Sequence, residues 1–440
     1  MLGPPNENPP QVAACEGSES STGKGLNSKH TTPVADYARE RFRLDGRIKR
    51  ILRKAAERTH PGKFPANVYR TVGCTWVRIG DVSANKPKQA QGYHYKGLAT
   101  CGSVHACPIC ASKIQERRRG EVVQALAYCS SINRAPVMVS YTFPHRFDQP
   151  LALLLELQQQ AIKKLRESRG YVAAMLKAGH AGRIRTLEVT HGANGWHPHT
   201  HELLFVNADV PAAGLREVLA GLWLKACTKV GLFRPDRDDE AAFLRHSVDA
   251  RAGDDGVAGY MAKMDDQRKW GLSHELTKSS SKQGRRAGQH PFKLADDDAT
   301  AHLFVEYVNA MKGQRQLVWS RGLKALVGVE ERTDEELAAE EVAQVEDRIP
   351  IPVAAWRVVV GNDARWEVLA AAQVSAAQAR KAMAEDHLSH HTLSAPEDFR
   401  ASDDGTALYR CAGGVLEVRD SATGAARARW TGACAEAVSA

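Results

Sequence analysis

The sequence predicts an α+β fold, with antiparallel strands and helices in separate segments of the chain. The first observation is RIRTLEVTHG (residues 183–192), where apolar and polar residues alternate, followed by the turn ANG and by GWHPHTHELLF (195–205). Alternation with a period of two is typical of strands, and two such runs around a short Gly-containing turn predict an antiparallel pair. The second observation is that GVAGYMAKMDD (256–266) and ERTDEELAAEEVAQVED (331–347) favour helix.

Composition and charge narrow the class of protein. The chain has 440 residues, 43% of them hydrophobic and 25% charged, which is ordinary for a soluble protein of two or three domains. A net charge of +9 favours a polyanionic binding partner, and nucleic acid is a better candidate than a membrane surface. The sequence contains no run of about 20 apolar residues, so it predicts no membrane span. The start MLGPPNENPPQ lacks a signal-peptide pattern. The odd number of cysteines, nine, together with these features predicts a cytoplasmic protein. In the reducing cytoplasm, clustered cysteines bind metal more often than they form disulfides.

Four segments are predicted along the chain. Residues 1–35 are rich in Pro, Gly, Ser, Thr and Asn, and we expect a disordered tail. Residues 36–115 hold a basic segment and a cysteine module, and residues 116–330 form the core. Residues 331–440 are an acidic connector and a C-terminal extension of unassigned role. In that extension, AAWRVVVGNDARWEVLAA has two short strand-like runs around the turn signal GND.

The basic segment has a pronounced excess of positive charge. From Arg39 to Lys63 it carries ten Lys and Arg residues against three acids. Such a block is either the solvated face of a helix or an arm that contacts phosphates, since each neutralised phosphate releases counterions and strengthens binding. The sequence leaves both interpretations open.

Four cysteines have the spacing of a metal site. Cys107 and Cys110 form a C-x-x-C knuckle within CGSVHACPICASK, Cys101 lies six residues before it, and Cys74 lies 27 residues before Cys101. Two thiolates three residues apart can face one tetrahedral ion, and two more complete its shell. Because no position stays open for chemistry, the pattern predicts a structural Zn²⁺.

Alternatives to this zinc site remain at the sequence level. His105 or His94 can replace one of the cysteine ligands. The C-x-x-C pair can also be a redox pair, or the thiols can simply be buried. Zinc is favoured because Pro108 stiffens the knuckle and the basic run QERRRG follows it.

Three histidines alternate along the second strand of the predicted pair: His197, His199 and His201. In a strand, every second side chain lies on the same face. Pro198 cannot donate a ladder hydrogen bond, so this end of the strand is at an edge or is its beginning. His199 and His201 are therefore the better-placed pair for a divalent metal ion.

A third ligand is expected on the neighbouring strand. Glu188 lies within RIRTLEVTHG and faces the histidines across an antiparallel pair, while His191 is the rival ligand. The alternative is a row of exposed or hydrogen-bonded histidines without a metal.

Tyr260 is the candidate nucleophile. In GVAGYMAKMDD, Tyr260 and Lys263 are three residues apart and share one face of the predicted helix. A nearby cation or bound metal helps a phenol oxygen to attack phosphorus. The alternative is an amphipathic helix with a packed tyrosine.

The order of these motifs resembles the plasmid rolling-circle replication initiators, in the branch of the HUH endonucleases that carries a cysteine knuckle before the core. The motifs are the knuckle, the strand VMVSYTF (137–143), LEVTHGANGWHPHTH and GYMAK. EYVNAMKGQRQLVWSRGLK (306–324) is similar to the segment that closes the core in that group. The resemblance covers about residues 70–330.

The resemblance implies both a fold and a reaction. The fold is an antiparallel sheet of about five strands flanked by helices. Tyr260 attacks a phosphate of single-stranded plasmid origin DNA, giving a 5′-phosphotyrosine and a free 3′-OH primer. His199, His201 and Glu188 hold Mg²⁺ or Mn²⁺, and Lys263 assists the tyrosine. The sequence has no G-x-x-x-x-G-K-[ST] motif, so a host helicase and polymerase are the implied partners.

Three positions depart from the family pattern. Gly256 stands where a better-known branch has an acidic residue that serves termination, Thr200 separates the two histidines, and Glu202 follows the second one. Two other functions are compatible with parts of the pattern. One is a relaxase or single-strand transposase, although relaxases usually place the tyrosine before the histidines. The other is a zinc-dependent DNA-binding protein without catalysis.

Overall fold

The computed structural model describes residues 33–88, 92–252, 288–341, 344–384, 399–401, 407–412, 415–420 and 426–431. Most of the tail predicted to be disordered lies outside these residues. So does the predicted helix with Tyr260 and Lys263. None of the described helices is both long and apolar enough to cross a membrane.

Helices and strands alternate in blocks along the described chain. The helices are α1 (Pro33–Thr59), α2 (Pro65–Val68), a 3-10 turn (Arg70–Val72), α3 (Pro108–Ser131), α4 (Leu151–Glu167), α5 (Arg169–Lys177), α6 (Ala212–Val230), α7 (Glu240–His246), α8 (Pro291–Leu294), α9 (Ala301–Ala310), α10 (Leu323–Val327), α11 (Asp334–Ala339), α12 (Val353–Gly361), α13 (Arg365–Val374) and α14 (Ala376–Ala384). The strands are β1 (Arg78–Pro87), β2 (His94–Leu98), β3 (Ala135–Tyr141), β4 (Gly182–Gly192), β5 (Gly195–Val206), β6 (Val248–Ala252), β7 (Leu317–Trp319), β8 (Val345–Pro350), β9 (Phe399–Ala401), β10 (Ala407–Ala412), β11 (Val415–Asp420) and β12 (Ala426–Thr431).

The central sheet confirms the predicted fold class. Its five strands run in the order β6-β3-β5-β4-β7, and every neighbouring pair is antiparallel. The turn between β4 and β5 is shorter than predicted, because Gly192 already pairs with Gly195. Gly195 has a φ of +83°, and a Cβ at this position would lie 2.8 Å from the Cα of Phe147. Only glycine fits such a turn without strain.

The two faces of this sheet bury different helices. Leu204 and Val206 of β5 belong to the main core, which also contains buried side chains of α4 and α6. Leu203 and Phe205 lie on the other face and pack with Val122 of α3. Because the side chains of β5 alternate, His197, His199 and His201 share the face of Leu203.

A second sheet joins distant parts of the chain. β1 pairs antiparallel with β2 and with β8, and β9 lies parallel to β1 and leads to β10, β11 and β12. Residues before and after the central sheet therefore fold together. The segment boundaries at residues 36–115, 116–330 and 331–440 stay a prediction.

The two strand-like runs predicted in AAWRVVVGNDARWEVLAA were wrong, because both are helical. They form α12 and α13 around the turn at residues 362–364. Trp356, Val359 and Val360 are buried at a helical spacing, in a cluster with Val368 and Leu369. Burial of one helical stripe outweighs the preference of Val-rich runs for strands.

The acidic connector is only partly helical. α11 begins with a capping box, in which Thr333 and Glu336 each accept a hydrogen bond from the other's backbone N–H. The end of the connector is strand β8, which covers an edge of β1. An acid of the connector also pairs with the basic run QERRRG: Arg118 donates a hydrogen bond to Asp334 at 2.9 Å.

A buried ion cluster links α1 to α13. Asp45 accepts hydrogen bonds from Lys49 and from Arg365, the latter at 2.6 Å, and all three side chains are fully buried. Arg365 also donates to Thr75 at 2.7 Å. Arg365 has a second carboxylate partner, since its guanidinium also donates to Asp363 at 2.8 Å. Removal of Asp45 would therefore leave Lys49 without its carboxylate and Arg365 with one of two, at a large desolvation cost.

We expect Asp45→Ala to lower the free energy of unfolding by about 3–5 kcal/mol, because buried Lys49 loses its carboxylate partner and Arg365 keeps only Asp363. Chemical denaturation of the full chain measures the change. Glu57→Ala, at an exposed position of the same helix, is the matched control and should stay within about 0.5 kcal/mol of wild type. Equal stabilities of the two variants would show that the cluster contributes little.

Candidate functional site

The four predicted cysteines converge at one point. Sγ of Cys74 lies 3.5 Å from that of Cys110 and 3.6 Å from that of Cys107, and Sγ of Cys101 lies 3.7 Å from that of Cys110. A tetrahedral ion with Zn–S bonds of about 2.3 Å places its sulfurs about 3.8 Å apart. The residues therefore fit a metal ion such as zinc.

The backbone prepares these sulfurs for a metal. Cys107 caps the N-terminus of α3, and the N–H of Cys110 donates to its sulfur at 3.4 Å. The N–H of Cys101 donates to Cys74 at 3.4 Å, and that of Ser103 donates to Cys101 at 3.5 Å. Hydrogen bonds to sulfur favour the thiolate form that binds metal, whereas burial raises the pKa of the Cys107 thiol, so a bound cation would complete the stabilisation of the thiolates.

Within the described ranges, these cysteines are the one group of three or more His, Cys, Asp and Glu residues whose ligand atoms all lie within 4.8 Å of one another. His105, a sequence-level alternative, has other partners. Its ring nitrogens lie 3.1 Å from the hydroxyl of Tyr307 and from the carbonyl oxygen of Gln314. His94 lies in β2 opposite Asn85. The structure thus gathers four cysteines without a histidine.

The β4–β5 hairpin places Glu188 beside the histidine row. Glu188 pairs directly with His199, and its Oε2 lies 2.9 Å from Nε2 of the next histidine, His201. The other ring nitrogen of His201 lies 2.7 Å from the hydroxyl of Ser140 on β3. The ring is therefore fixed from both sides, with one nitrogen aimed at the carboxylate.

The histidine rings form a continuous stack. The ring centres of His197 and His199 are 3.9 Å apart, and those of His199 and His201 are 6.0 Å apart. His145 extends the row at 4.3 Å from His197. Burial, with a smaller effect of His145, lowers the pKa of His197 to about 4, so this ring is neutral at pH 7.

The two ends of the histidine row differ in support. β3 pairs with β5 only as far as Thr200, so in the described chain residues 195–199 have a strand neighbour on one side. Pro198 lies in this one-sided stretch, as expected of a residue without an N–H donor. His201, in contrast, lies between β3 and β4. The position of Pro198 agrees with the predicted edge.

His191 lies on the opposite face from His199. It pairs with Trp196, with ring centres 4.7 Å apart, and its backbone bridges to Gln289 at 2.9 and 2.7 Å. Its place in the strand, three residues from Glu188, gives it the other orientation. The geometry therefore favours Glu188 over His191 as the third ligand, and the roles of both stay a prediction.

Sequence reasoning missed three polar residues around this hairpin. Ser140 follows from the strand register, which no sequence pattern revealed. His145 comes four residues after the end of β3. His290 is half-buried, and its desolvation lowers its pKa to about 4, although the negative charge of nearby Glu188 acts in the opposite direction. Tyr260, Lys263 and Gly256 lie outside the described residues, so their positions relative to the histidines stay open.

An antiparallel five-stranded sheet, with a histidine row on a central strand and a four-cysteine group before it, is the arrangement that the resemblance to replication initiators implies. The comparisons with known proteins agree. A family model described as replication protein matches residues 96–212, from β2 to the start of α6. The curated protein "Protein rep" of Streptomyces lividans is 25% identical over 299 residues, which cover 53% of this chain and 65% of that protein. No solved structure matches the chain.

These findings confirm the resemblance to a plasmid replication initiator. The matched segment contains Cys101, Cys107 and Cys110 and the whole β4–β5 hairpin. The chain spans slightly less than two thirds of its relative's length, at 65%. Activity, substrate and partners are therefore matters for proposal.

We expect Cys107→Ser to lose the metal of the cysteine group and to lower the melting temperature, because three sulfurs do not complete a tetrahedral shell. Metal analysis of the wild-type protein should show about one zinc per chain by the same coordination logic. Cys227→Ser, at a buried cysteine outside the group, is the control and should keep its zinc. A Cys107→Ser protein with full zinc content and an unchanged melting temperature would reject the site.

Proposed function

We propose that this chain initiates rolling-circle replication of a plasmid by nicking one strand of origin DNA with Tyr260. The observation that carries the proposal is the pairing of Glu188 with His199 and His201 in a segment that matches replication proteins. Three of the four cysteines that are proposed to hold a structural Zn²⁺ lie within the same matched segment.

His199, His201 and Glu188 would hold the divalent ion. Two imidazoles and one carboxylate are a donor set that binds Mn²⁺ and related ions, and a bound ion supplies Lewis-acid polarisation of a phosphate oxygen. The hydroxyl of Ser140 lies within hydrogen-bond distance of the ring of His201 and would fix its orientation, as residues that hydrogen-bond to metal ligands usually do. His197 is the third histidine on this face, and it has a neighbouring strand on one side only.

Tyr260 supplies the attacking atom in this proposal. The phenol loses its proton as its oxygen attacks phosphorus, an O–P bond forms, and the P–O3′ bond breaks. The leaving O3′ takes up a proton and becomes the 3′-OH primer, while the 5′-phosphate remains on Tyr260. Lys263, three residues further on, would stabilise the negative charge that develops.

Chain length permits this encounter. β6 ends at Ala252, which pairs with Val137, and Val137 pairs with Leu204, three residues after His201. Strand spacings of about 4.8 Å and a rise of about 3.3 Å per residue give a separation of about 14 Å. The eight residues from Ala252 to Tyr260 reach up to about 28 Å.

The order of the motifs favours an initiator over a relaxase, because Tyr260 follows the histidines. The proposed partners are origin DNA, single-stranded at the nick, and the host helicase and polymerase. The helicase is included because the sequence contains no nucleotide-binding P-loop motif.

We expect Tyr260→Phe to fold, retain zinc and bind DNA, but to form no covalent adduct, because it lacks only the attacking oxygen. The substrate is a supercoiled plasmid that carries the coding sequence with its flanking DNA, incubated with Mn²⁺. Mass spectrometry detects a nucleotide on Tyr260 in the wild-type protein, and gel mobility detects the nicked circle. Lys263→Ala should be slower by about 10²–10³-fold rather than inactive, since a positioned charge contributes that much.

Nicking by Tyr260→Phe at the wild-type rate would contradict the assignment. The nucleophile would then be another tyrosine or a water molecule. A wild-type protein that binds the plasmid and never nicks it would instead indicate the zinc-dependent DNA-binding protein without catalysis.

We expect His199→Ala and His201→Ala to abolish metal-dependent nicking, and Glu188→Ala to weaken Mn²⁺ affinity by about 10- to 100-fold. His197→Ala should have a smaller effect. The nicking rate measured at increasing Mn²⁺ concentration gives both the maximal rate and the apparent Mn²⁺ affinity of each variant. His246→Ala, at an exposed histidine of α7, is the matched control.

Equal losses at His197, His199 and His201 would reject this ranking. An inactive His191→Ala beside a fully active Glu188→Ala would transfer the third ligand position to His191.

A further inference from the structure

The face of the central sheet opposite the histidines carries a group of arginines around Glu202. Glu202 is fully buried, bonds Arg166 of α4, and lies 3.8 Å from Nε of Arg183. This contact explains the departure from the family pattern at Glu202. A carboxylate replaces an apolar residue because arginines surround it.

A third arginine of this group has no direct ion pair among the described residues. Arg185 pairs with Glu202 across β4 and β5, so both share this face. In the described part of the chain, Arg185 forms no ion pair or side-chain hydrogen bond. Burial and the charges of Arg166 and Arg183 lower its pKa. Three guanidinium groups therefore share one carboxylate.

The excess charge borders an open cleft. The cleft has a volume of about 500 Å³ and lies between α4 and the segment that leads into β7. Lys163, Arg166, Arg185 and Arg315 line it, against the single acid Glu167. Arg166 also has a buried Nε–H without a hydrogen-bond partner among the described residues. A cleft with four cations and a spare donor is suited to an anion.

We propose that this cleft, the Arg185 cleft, binds a backbone phosphate of DNA at a point separate from the histidine row. The inference rests on the proposed function for the identity of the partner as DNA. Arg185 and Glu188 lie on the same strand, three residues or about 10 Å apart, and on opposite faces. The cleft therefore positions DNA without contacting the reacting phosphate.

A DNA phosphate fits the cleft better than a free nucleotide. The lining consists of Gln, Ile, Lys, Arg, Glu, Gly and Val residues and includes no aromatic ring on which a base would stack. Fork-shaped guanidinium groups match phosphate oxygens. Arg185 and Arg315 are the two residues on which the contact depends, since Arg166 is already bound to Glu202.

The test measures DNA binding without catalysis. Full-length wild type, Arg185→Gln, Arg315→Gln and the control Arg348→Gln bind a fluorescein-labelled, mixed-sequence 30-nucleotide single strand without divalent metal. Arg348 is exposed in β8 of the other sheet. Anisotropy gives Kd at 50 to 300 mM KCl. Each lost phosphate contact should reduce the slope of log K against log salt by about 0.7.

Slopes reduced in both cleft variants and unchanged in Arg348→Gln would support the inference. Unchanged slopes in the cleft variants, at wild-type melting temperatures, would overturn it. A melting temperature that inorganic phosphate raises in the wild type but not in Arg185→Gln, without any change in slope, would assign the cleft to a small anion and would also overturn it. Because no Mn²⁺ or Mg²⁺ is added, the binding result does not depend on nicking, and it can be interpreted even if the nicking proposal fails.

Discussion

The register of the β4–β5 hairpin is the constraint on which the candidate site depends. Its ladder runs without a break from Gly182–Phe205 to Gly192–Gly195. A slip by one residue would move every side chain of one strand to the other face of the sheet. Register therefore decides that Glu188 meets His199 and His201 and that Arg185 meets Glu202 behind them. The tight turn at Gly195, closed against Phe147, holds this alignment at one end.

The cysteine group supports the same sheet from a distance. It begins α3, whose Val122 and Cys129 pack under Leu203 and Phe205 on the histidine face. The sulfur of Cys107 also lies 3.8 Å from Asp45, the anion of the buried ion cluster. A metal at the cysteines would thus stabilise a junction where α1, α3 and the C-terminal helices meet.

The sequence predicted those features that depend on local spacing. The hairpin has a period of two and a Gly-containing turn, and the C-x-x-C knuckle brings two ligands together within one turn of chain, so both were predictable. The C-terminal helices were not, because the Val-rich run around Val359 favours strands until Trp356 and Val360 are seen to be buried on one stripe. The end of the acidic connector became β8 because β1 offers an edge to pair with, which only the tertiary fold reveals. The sharing of Glu202 among several arginines likewise depends on packing between α4 and the sheet.

The central claim is that the hairpin register builds a divalent metal site from two histidines and a glutamate. Pulsed electron paramagnetic resonance of the full-length, zinc-containing protein loaded with Mn²⁺ tests this most directly, because it detects nitrogen nuclei bound to the ion. The account predicts couplings from two imidazole nitrogens, with one lost in His199→Ala and one lost in His201→Ala. Bound Mn²⁺ without nitrogen coupling, or couplings unchanged in both variants, would contradict it.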